Sequence, residues 1–306
     1  MQTTQFGAIR SLREGARVAL VAPAGIVQRA DDITRALNNV RSFGWTPVLG
    51  AHVSSQLGYL AGTGADRLHD LNSALTDDNV DAIWCIRGGY GTMHLLSDVN
   101  YDALRERPKP VIGFSDITAL HSAIHRRCGI VTFHGPTARS VLSAFSRDSM
   151  KRALVDQSDS CGAAGDGRVL RAGRASGRLI GGNLALITAL TGTPFAPDFD
   201  GAILVLEDIG EAIYRIDRML TQLILAGELQ KCAAIVGGDF RPPKEEITTD
   251  NRTLDEVLSE AAARAGVPCL AGAPFGHIPS QWTIPLGATA ELDTNARTLR
   301  ILAPIA

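Results

Sequence analysis

The feature that most narrows the fold is the alternation, through the first half of the chain, of short apolar runs with stretches of helical periodicity. Arg17 to Ala22 (RVALVA), Thr46 to Leu49, Ala82 to Ile86 (AIWCI), Pro110 to Phe114 (PVIGF) and Val131 to Phe133 read as strands. Between them, Asp31 to Phe43 places Ile33, Leu37 and Val40 on one helical face. Asp66 to Leu75 and Ile117 to Arg126 read as two further helices. Strands that are apolar throughout, rather than every second residue, are covered on both faces, which predicts a mostly parallel sheet flanked by helices. Ligands bind such sheets where strands end and helices begin, so a site is expected in the loops after Ile86 and Phe114.

From about Phe145 to Ala175 the chain turns polar and Gly-rich and reads as a connection, with one helix near Met150. A second apolar region follows. Ile203 to Leu206 and Ala233 to Val236 read as strands, Tyr214 to Ala226 and Leu254 to Ala263 as helices, and Thr283 to Leu302 as two strands joined by DTN. This divides the chain into an N-terminal domain over 1–150, a connection over 151–175 and a smaller α/β C-terminal domain over 176–306.

Composition excludes several functions. Of the 306 residues, 45% are hydrophobic and 20% charged, which is a globular balance. The net charge of −2, without a basic stripe, argues against a nucleic-acid partner. No apolar stretch reaches the ~18 residues of a membrane span, and the opening MQTTQFGAIRSLREG lacks the apolar core of a secretory signal. A cytoplasmic location with no membrane partner is therefore expected. The five cysteines (Cys85, Cys128, Cys161, Cys232 and Cys269) form no CxxC pair, which argues against a disulfide framework or a zinc site. Cys85 and Cys232 lie in apolar runs and read as core residues. No metal or cofactor is expected.

The first segment to carry chemistry is KPVIGFSDITALHSAIH. A strand runs into Gly113-Phe114-Ser115-Asp116 and a helix starts at once. A serine at that junction exposes its hydroxyl beside outward-facing N–H groups that favour an oxyanion. The competing reading is that Ser115 or Asp116 simply caps the helix. The second Gly of G-x-S-x-G is missing, so this is not an ordinary α/β-hydrolase elbow. Arg87-Gly88-Gly89-Tyr90-Gly91 also follows a buried strand, and its glycines allow backbone N–H groups close to a reacting carbonyl; a plain tight turn is the alternative. No Lys-Ser/Thr follows, which excludes a Walker loop.

A hydroxyl nucleophile needs a base, and the base a group to orient it. Of seven histidines, His121 and His125 lie four apart on one helix but have no third ligand spaced to join them, and they read as structural. His277 differs, sitting in the Pro- and Gly-punctuated loop APFGHIP. The acid candidate is Glu207, at the end of the apolar run ILVLE, where a carboxylate is costly unless partnered. Asp208 and Glu211 compete with it, and in a strand Glu207 and Asp208 face opposite ways.

Together these segments resemble the LD-carboxypeptidase family, which includes microcin C immunity peptidases. The matching segments are VALVAPAG at 18–25, RGGYG at 87–91, GFSD at 113–116, FHGP at 133–136, GGNL at 181–184, LEDIGEAIYRIDRML at 206–220 and GAPFGH at 272–277. The resemblance implies an N-terminal domain like class I glutamine amidotransferases, with the site between it and the C-terminal domain, and a homodimer. It implies a Ser115, Glu207 and His277 triad, and an oxyanion hole from the N–H of Asp116 and one from Gly88 or Gly89. The implied substrate is a murein tetrapeptide, cut between an L-centre (diaminopimelate or Lys) and a terminal D-Ala during peptidoglycan recycling. Three alternatives remain open: a peptidyl-nucleotide immunity peptidase, a catalytically idle binding protein, and a metal hydrolase. The first tends to carry additional sequence between its Ser and Glu, where this chain has a plain Gly-rich connection.

Overall fold

The computed structural model describes residues 9–243 and 252–302. Its first half follows the alternation in the sequence: β1 (Arg17–Val21), α1 (Ala30–Arg41), β2 (Thr46–Leu49), α2 (Gly64–Thr76), β3 (Ala82–Cys85), α3 (Tyr101–Glu106), β4 (Val111–Gly113), α4 (Thr118–Cys128) and β5 (Thr132–His134). Helix boundaries carry the local chemistry that sets them. Thr63 and Asp66 form a reciprocal capping box at the start of α2, and Gly129 ends α4 in the left-handed region at φ 63°.

The second half comprises α5 (Ala144–Lys151), β6 (Gly162–Ala163), β7 (Arg168–Arg171), β8 (Arg174–Asn183), α6 (Leu184–Leu190), β9 (Ile203–Ile209), α7 (Ile213–Leu225), β10 (Ala234–Arg241), α8 (Leu254–Ala265), β11 (Cys269–Ala271), β12 (Ile284–Leu286), β13 (Thr289–Asp293) and β14 (Thr298–Ile301). The strands form a six-stranded sheet, β12-β5-β4-β3-β1-β2, and an eight-stranded sheet, β6-β14-β13-β8-β9-β10-β11-β7. Every pair in the first is parallel except β12 with β5. In the second, β8, β9, β10 and β11 are parallel, while β13 and β7 pair antiparallel at either side.

Two sequence readings are corrected. The Gly-rich stretch read as a plain connection contains β6, β7 and the start of β8, whose partners β14, β13 and β11 lie far along the chain. Short polar strands of this kind are specified by their neighbours rather than by their own composition. The C-terminal end holds three strands rather than two, because β12 leaves the second sheet and extends the first.

The core follows the period of each strand. In β9, Leu204 and Leu206 pack into one apolar cluster and Ile203 and Val205 into another, on the opposite face of the sheet. Each such side chain contributes roughly 1.5–3 kcal/mol when fully buried. This helps offset the cost of carrying Glu207, also fully buried, in the same strand. Among the described residues no helix is long and apolar enough to cross a membrane.

Candidate active site

β4 delivers the chain to a sharp turn. Phe114 is fully extended (φ −151°, ψ −173°) and Ser115 opens a 3-10 turn that feeds α4. Ser115 stands at φ 65°, a left-handed conformation that a non-glycine residue holds at a cost of about 1–3 kcal/mol. The turn closes tightly because Gly113 lacks a side chain: a Cβ there would lie 3.1 Å from Ile117 and 3.2 Å from Cys85. The capping alternative is not realised, since neither Ser115 nor Asp116 caps α4 with its side chain. Asp116 Oδ2 instead accepts the Thr92 N–H at 2.8 Å, tying the elbow to the turn after the glycine loop. His121 holds the elbow from beneath through Nε2 and the Gly113 carbonyl, 2.9 Å apart.

The glycine loop after β3 lies against this turn. A Cβ on Gly88 would meet Ser115 Cβ at 2.9 Å and Oγ at 3.1 Å, so only glycine fits. The Gly88 carbonyl accepts the Gly25 N–H and Arg87 Nε, each at 3.2 Å. In a trans peptide this turns the Gly89 N–H to the opposite side. Arg67, buried on α2, donates from Nη1 to the carbonyls of Pro23 (2.7 Å) and Gly91 (2.8 Å) and so clamps the two loops together.

Glu207 lies within β9, two residues before its end, and His277 in the loop between β11 and β12. Their Oε2 and Nδ1 atoms are 2.7 Å apart. Burial raises the Glu207 carboxyl above its ordinary value, while the bond from His277 works in the other direction. Gly276, at φ 108°, makes the approach possible: a Cβ there would sit 2.9 Å from Glu207 Cβ. The competing acids are engaged elsewhere. Asp208 accepts from Asn183 Nδ2, the Ala185 N–H and the Ile209 N–H, and Glu211 pairs with Arg215 at 3.5 Å.

Ser115 and His277 line one cavity of about 520 Å³, together with Gly88, Gly89 and Phe114. The Phe114 ring lies against the His277 imidazole, with centroids 4.8 Å apart. No hydrogen bond joins Ser115 Oγ to His277 among the described residues. The other histidines lie outside this cavity. Burial pulls His121 and His125 down to about 4 and His134 to about 3. His52 and His69 share Asp70, the former at 2.8 Å.

Several positioning groups carry no signal in a single sequence beyond their place in a motif. Gly181 and Gly182 hold φ 121° and 126°, and a Cβ on Gly182 would fall 2.4 Å from Thr118 Oγ1. That contact lets the Asn183 N–H reach Thr118 Oγ1 at 2.9 Å, linking the strand beside Glu207 to the first residue of α4. Register places Asn183 opposite Glu207. Arg67 and Asp116 are a second such pair of ties, and only their partners' positions reveal them.

Both halves of the chain match family models: the LD-carboxypeptidase N-terminal domain over residues 18–135 and the LD-carboxypeptidase C-terminal domain over residues 176–292. The chain belongs to the LD-carboxypeptidase family, a family of peptidases. It is 39% identical to a putative carboxypeptidase of Streptomyces coelicolor, covering 96% of this chain and 95% of that one. It is 38% identical to the murein tetrapeptide carboxypeptidase of Pseudomonas aeruginosa, over 91% of this chain and 94% of the relative. The crystal structure of muramoyltetrapeptide carboxypeptidase from Oxalobacter formigenes superposes with a TM-score of 0.82 at 30% identity, covering 94% of this chain and 98% of that one. The microcin C7 self-immunity protein MccF bound to glutamyl sulfamoyl guanosine shares the fold, with a TM-score of 0.88 over 97% of this chain and 98% of that one, at 23% identity.

Proposed function

We propose that the chain is a serine LD-carboxypeptidase that removes the terminal D-Ala from murein tetrapeptide, with Ser115 as nucleophile, His277 as base and Glu207 as the carboxylate that orients it. One observation carries the reading. A fully buried carboxylate is bonded to the ring of an imidazole that lines the same cavity as a serine held at positive φ. Buried carboxylates need a partner, and this partner's remaining nitrogen, Nε2, is the one a base would use. Free-state distances between nucleophile and base are commonly loose and tighten with substrate bound.

The chemistry is acyl transfer. His277 Nε2 takes the Ser115 proton as Oγ attacks the carbonyl of the L-centre, and Glu207 stabilises the imidazolium. The oxyanion forms between the Asp116 N–H and an N–H of the Gly88–Gly89 pair. His277 then gives its proton to the departing D-Ala amine, leaving an ester on Ser115. Water attacks that ester, with His277 again as base, and frees the hydroxyl. The relatives named for murein peptides are more similar in sequence than MccF, which supports the muropeptide substrate.

Mass spectrometry of murein tetrapeptide and of an aminoacyl sulfamoyl adenosine, each incubated with the protein, tests this. Tetrapeptide losing D-Ala with wild type and not with Ser115→Ala is the expected result. Cleavage of the nucleotide alone would move the chain to the immunity-peptidase reading. Failure of a fluorophosphonate to label Ser115 would make it an idle scaffold.

A further inference from the structure

The cavity beside Ser115 is strongly basic. Arg35, Arg87 and Arg139 line it against a single acid, Asp32. The three cations are not equivalent. Asp32 lies between two of them, with Oδ2 3.0 Å from Arg139 Nη1 and Oδ1 3.4 Å from Arg35 Nη1. Arg87 pairs with no carboxylate among the described residues. Its Nη1 donates to the Ile26 carbonyl and its Nε to the Gly88 carbonyl, both uncharged acceptors. Its Nη2 has no hydrogen-bond partner among the described residues. The guanidinium lies between Gly25 and Gly89, with Cζ and Nε 3.4 Å from where a Gly25 Cβ would stand and Nη2 3.5 Å from where a Gly89 Cβ would stand.

Carboxypeptidase chemistry places a demand on this geometry. Only one nitrogen and one Cα separate the scissile carbonyl carbon from the terminal carboxylate carbon, a span within about 4 Å. The group that reads the carboxylate must therefore sit immediately beside the oxyanion site. Arg87 meets this demand by lining the same cavity as Ser115, and it directly precedes Gly88, the residue packed against Ser115.

We infer that Arg87 is the group that receives the substrate's terminal carboxylate, through its unpartnered Nη2 edge, and so restricts cleavage to the last peptide bond. The inference rests on Ser115 being the nucleophile. A guanidinium already fixed by two carbonyls is pre-organised, so little side-chain freedom is lost on binding. A half-buried donor left without its anion discriminates against a substrate lacking that anion. The Arg35–Asp32–Arg139 group adds positive potential to the same cavity but keeps its own internal partner.

The test compares murein tetrapeptide with the same peptide amidated at its C-terminus, using wild type, Arg87→Gln, Arg87→Lys, Arg35→Gln and Arg139→Gln. Wild type is expected to favour the free acid by roughly 100-fold in kcat/KM, as for a lost charge-assisted hydrogen bond. Arg87→Gln should lose about that factor on the acid and little on the amide, so the preference collapses. Arg87→Lys should restore part of it. Equal losses on both substrates would mean that Arg87 only supports the Gly88 loop, and would overturn the inference. So would collapse of the preference in Arg35→Gln or Arg139→Gln instead. Wild type cleaving neither peptide would overturn the underlying reading, an outcome separate from failure of the Arg87 variants alone.

Discussion

At the scale of single residues, the site is a set of costs held in place by partners. Ser115 occupies the left-handed region that glycine holds freely and alanine does not. Both Ser115→Ala and Ser115→Gly should abolish peptide hydrolysis. Thermal unfolding should then rank Ser115→Gly above Ser115→Ala by about 1 kcal/mol. An equal or reversed ranking would mean that the turn relaxes. Glu207 is buried and its carboxyl is pushed up by desolvation, so its charge costs stability at neutral pH. Glu207→Gln should lower kcat by roughly 1,000–10,000-fold, as when a base loses its orienting carboxylate. Its Tm should stay level or rise, because a buried charge is removed without loss of volume. A large fall in Tm at unchanged rate would assign Glu207 a structural role.

At the scale of elements, neighbouring carboxylates on β9 are separated by the two-residue period of the strand. Glu207 points to the His277 loop, and Asp208 to the start of α6, where it accepts the Ala185 N–H and the Asn183 amide. Asp208→Ala leaves these two donors and the Ile209 N–H without their acceptor in a site that is 3% exposed. It should therefore cost about 1–3 kcal/mol of stability, with a loss of rate far smaller than that of Glu207→Gln. Denaturant unfolding and steady-state kinetics on the two variants read the contrast directly. The sequence already placed these residues on opposite faces. It left open which face met the histidine, because that depends on where the loop after β11 returns.

At the scale of the whole molecule, buried histidines make stability depend on pH. His134 packs between Phe114 and Phe275 with neither ring nitrogen hydrogen-bonded among the described residues. Burial lowers it from 6.5 to about 3, so the folded protein keeps it neutral where the unfolded chain binds a proton. The stability this contributes is complete above pH 6.5 and is lost as pH falls toward 3, at about 1 kcal/mol per pH unit. Glu207 and Asp208, raised by burial, work in the opposite sense as they protonate. A difference measurement separates the effects. His134→Leu should gain stability relative to wild type by about that slope between pH 6 and 4, read from urea unfolding at each pH. A pH-independent difference would mean that water reaches the imidazole.

The sequence by itself determined the five parallel strands of the first sheet, most clearly β1, β3 and β4, which are buried almost throughout and announce themselves as unbroken apolar runs. It also offered Ser115 and His277 as candidates, and Glu207 in competition with Asp208 and Glu211, from a hydroxyl at a strand–helix turn, an acid ending an apolar run and a histidine in a Pro- and Gly-punctuated loop; the family resemblance chose among them. Tertiary structure decided what local composition does not encode. β6 and β7 exist because distant strands offer them backbone partners, and β12 crosses to the first sheet to complete its edge. The 2.7 Å contact between Glu207 and His277 requires a glycine at 276, 69 residues along the chain from the acid whose space it leaves open. The Arg67 side chain, the Asp116 carboxylate and the Gly181–Gly182 pair act through groups far away in sequence, and such dependence on a partner's position becomes visible once the chain has folded.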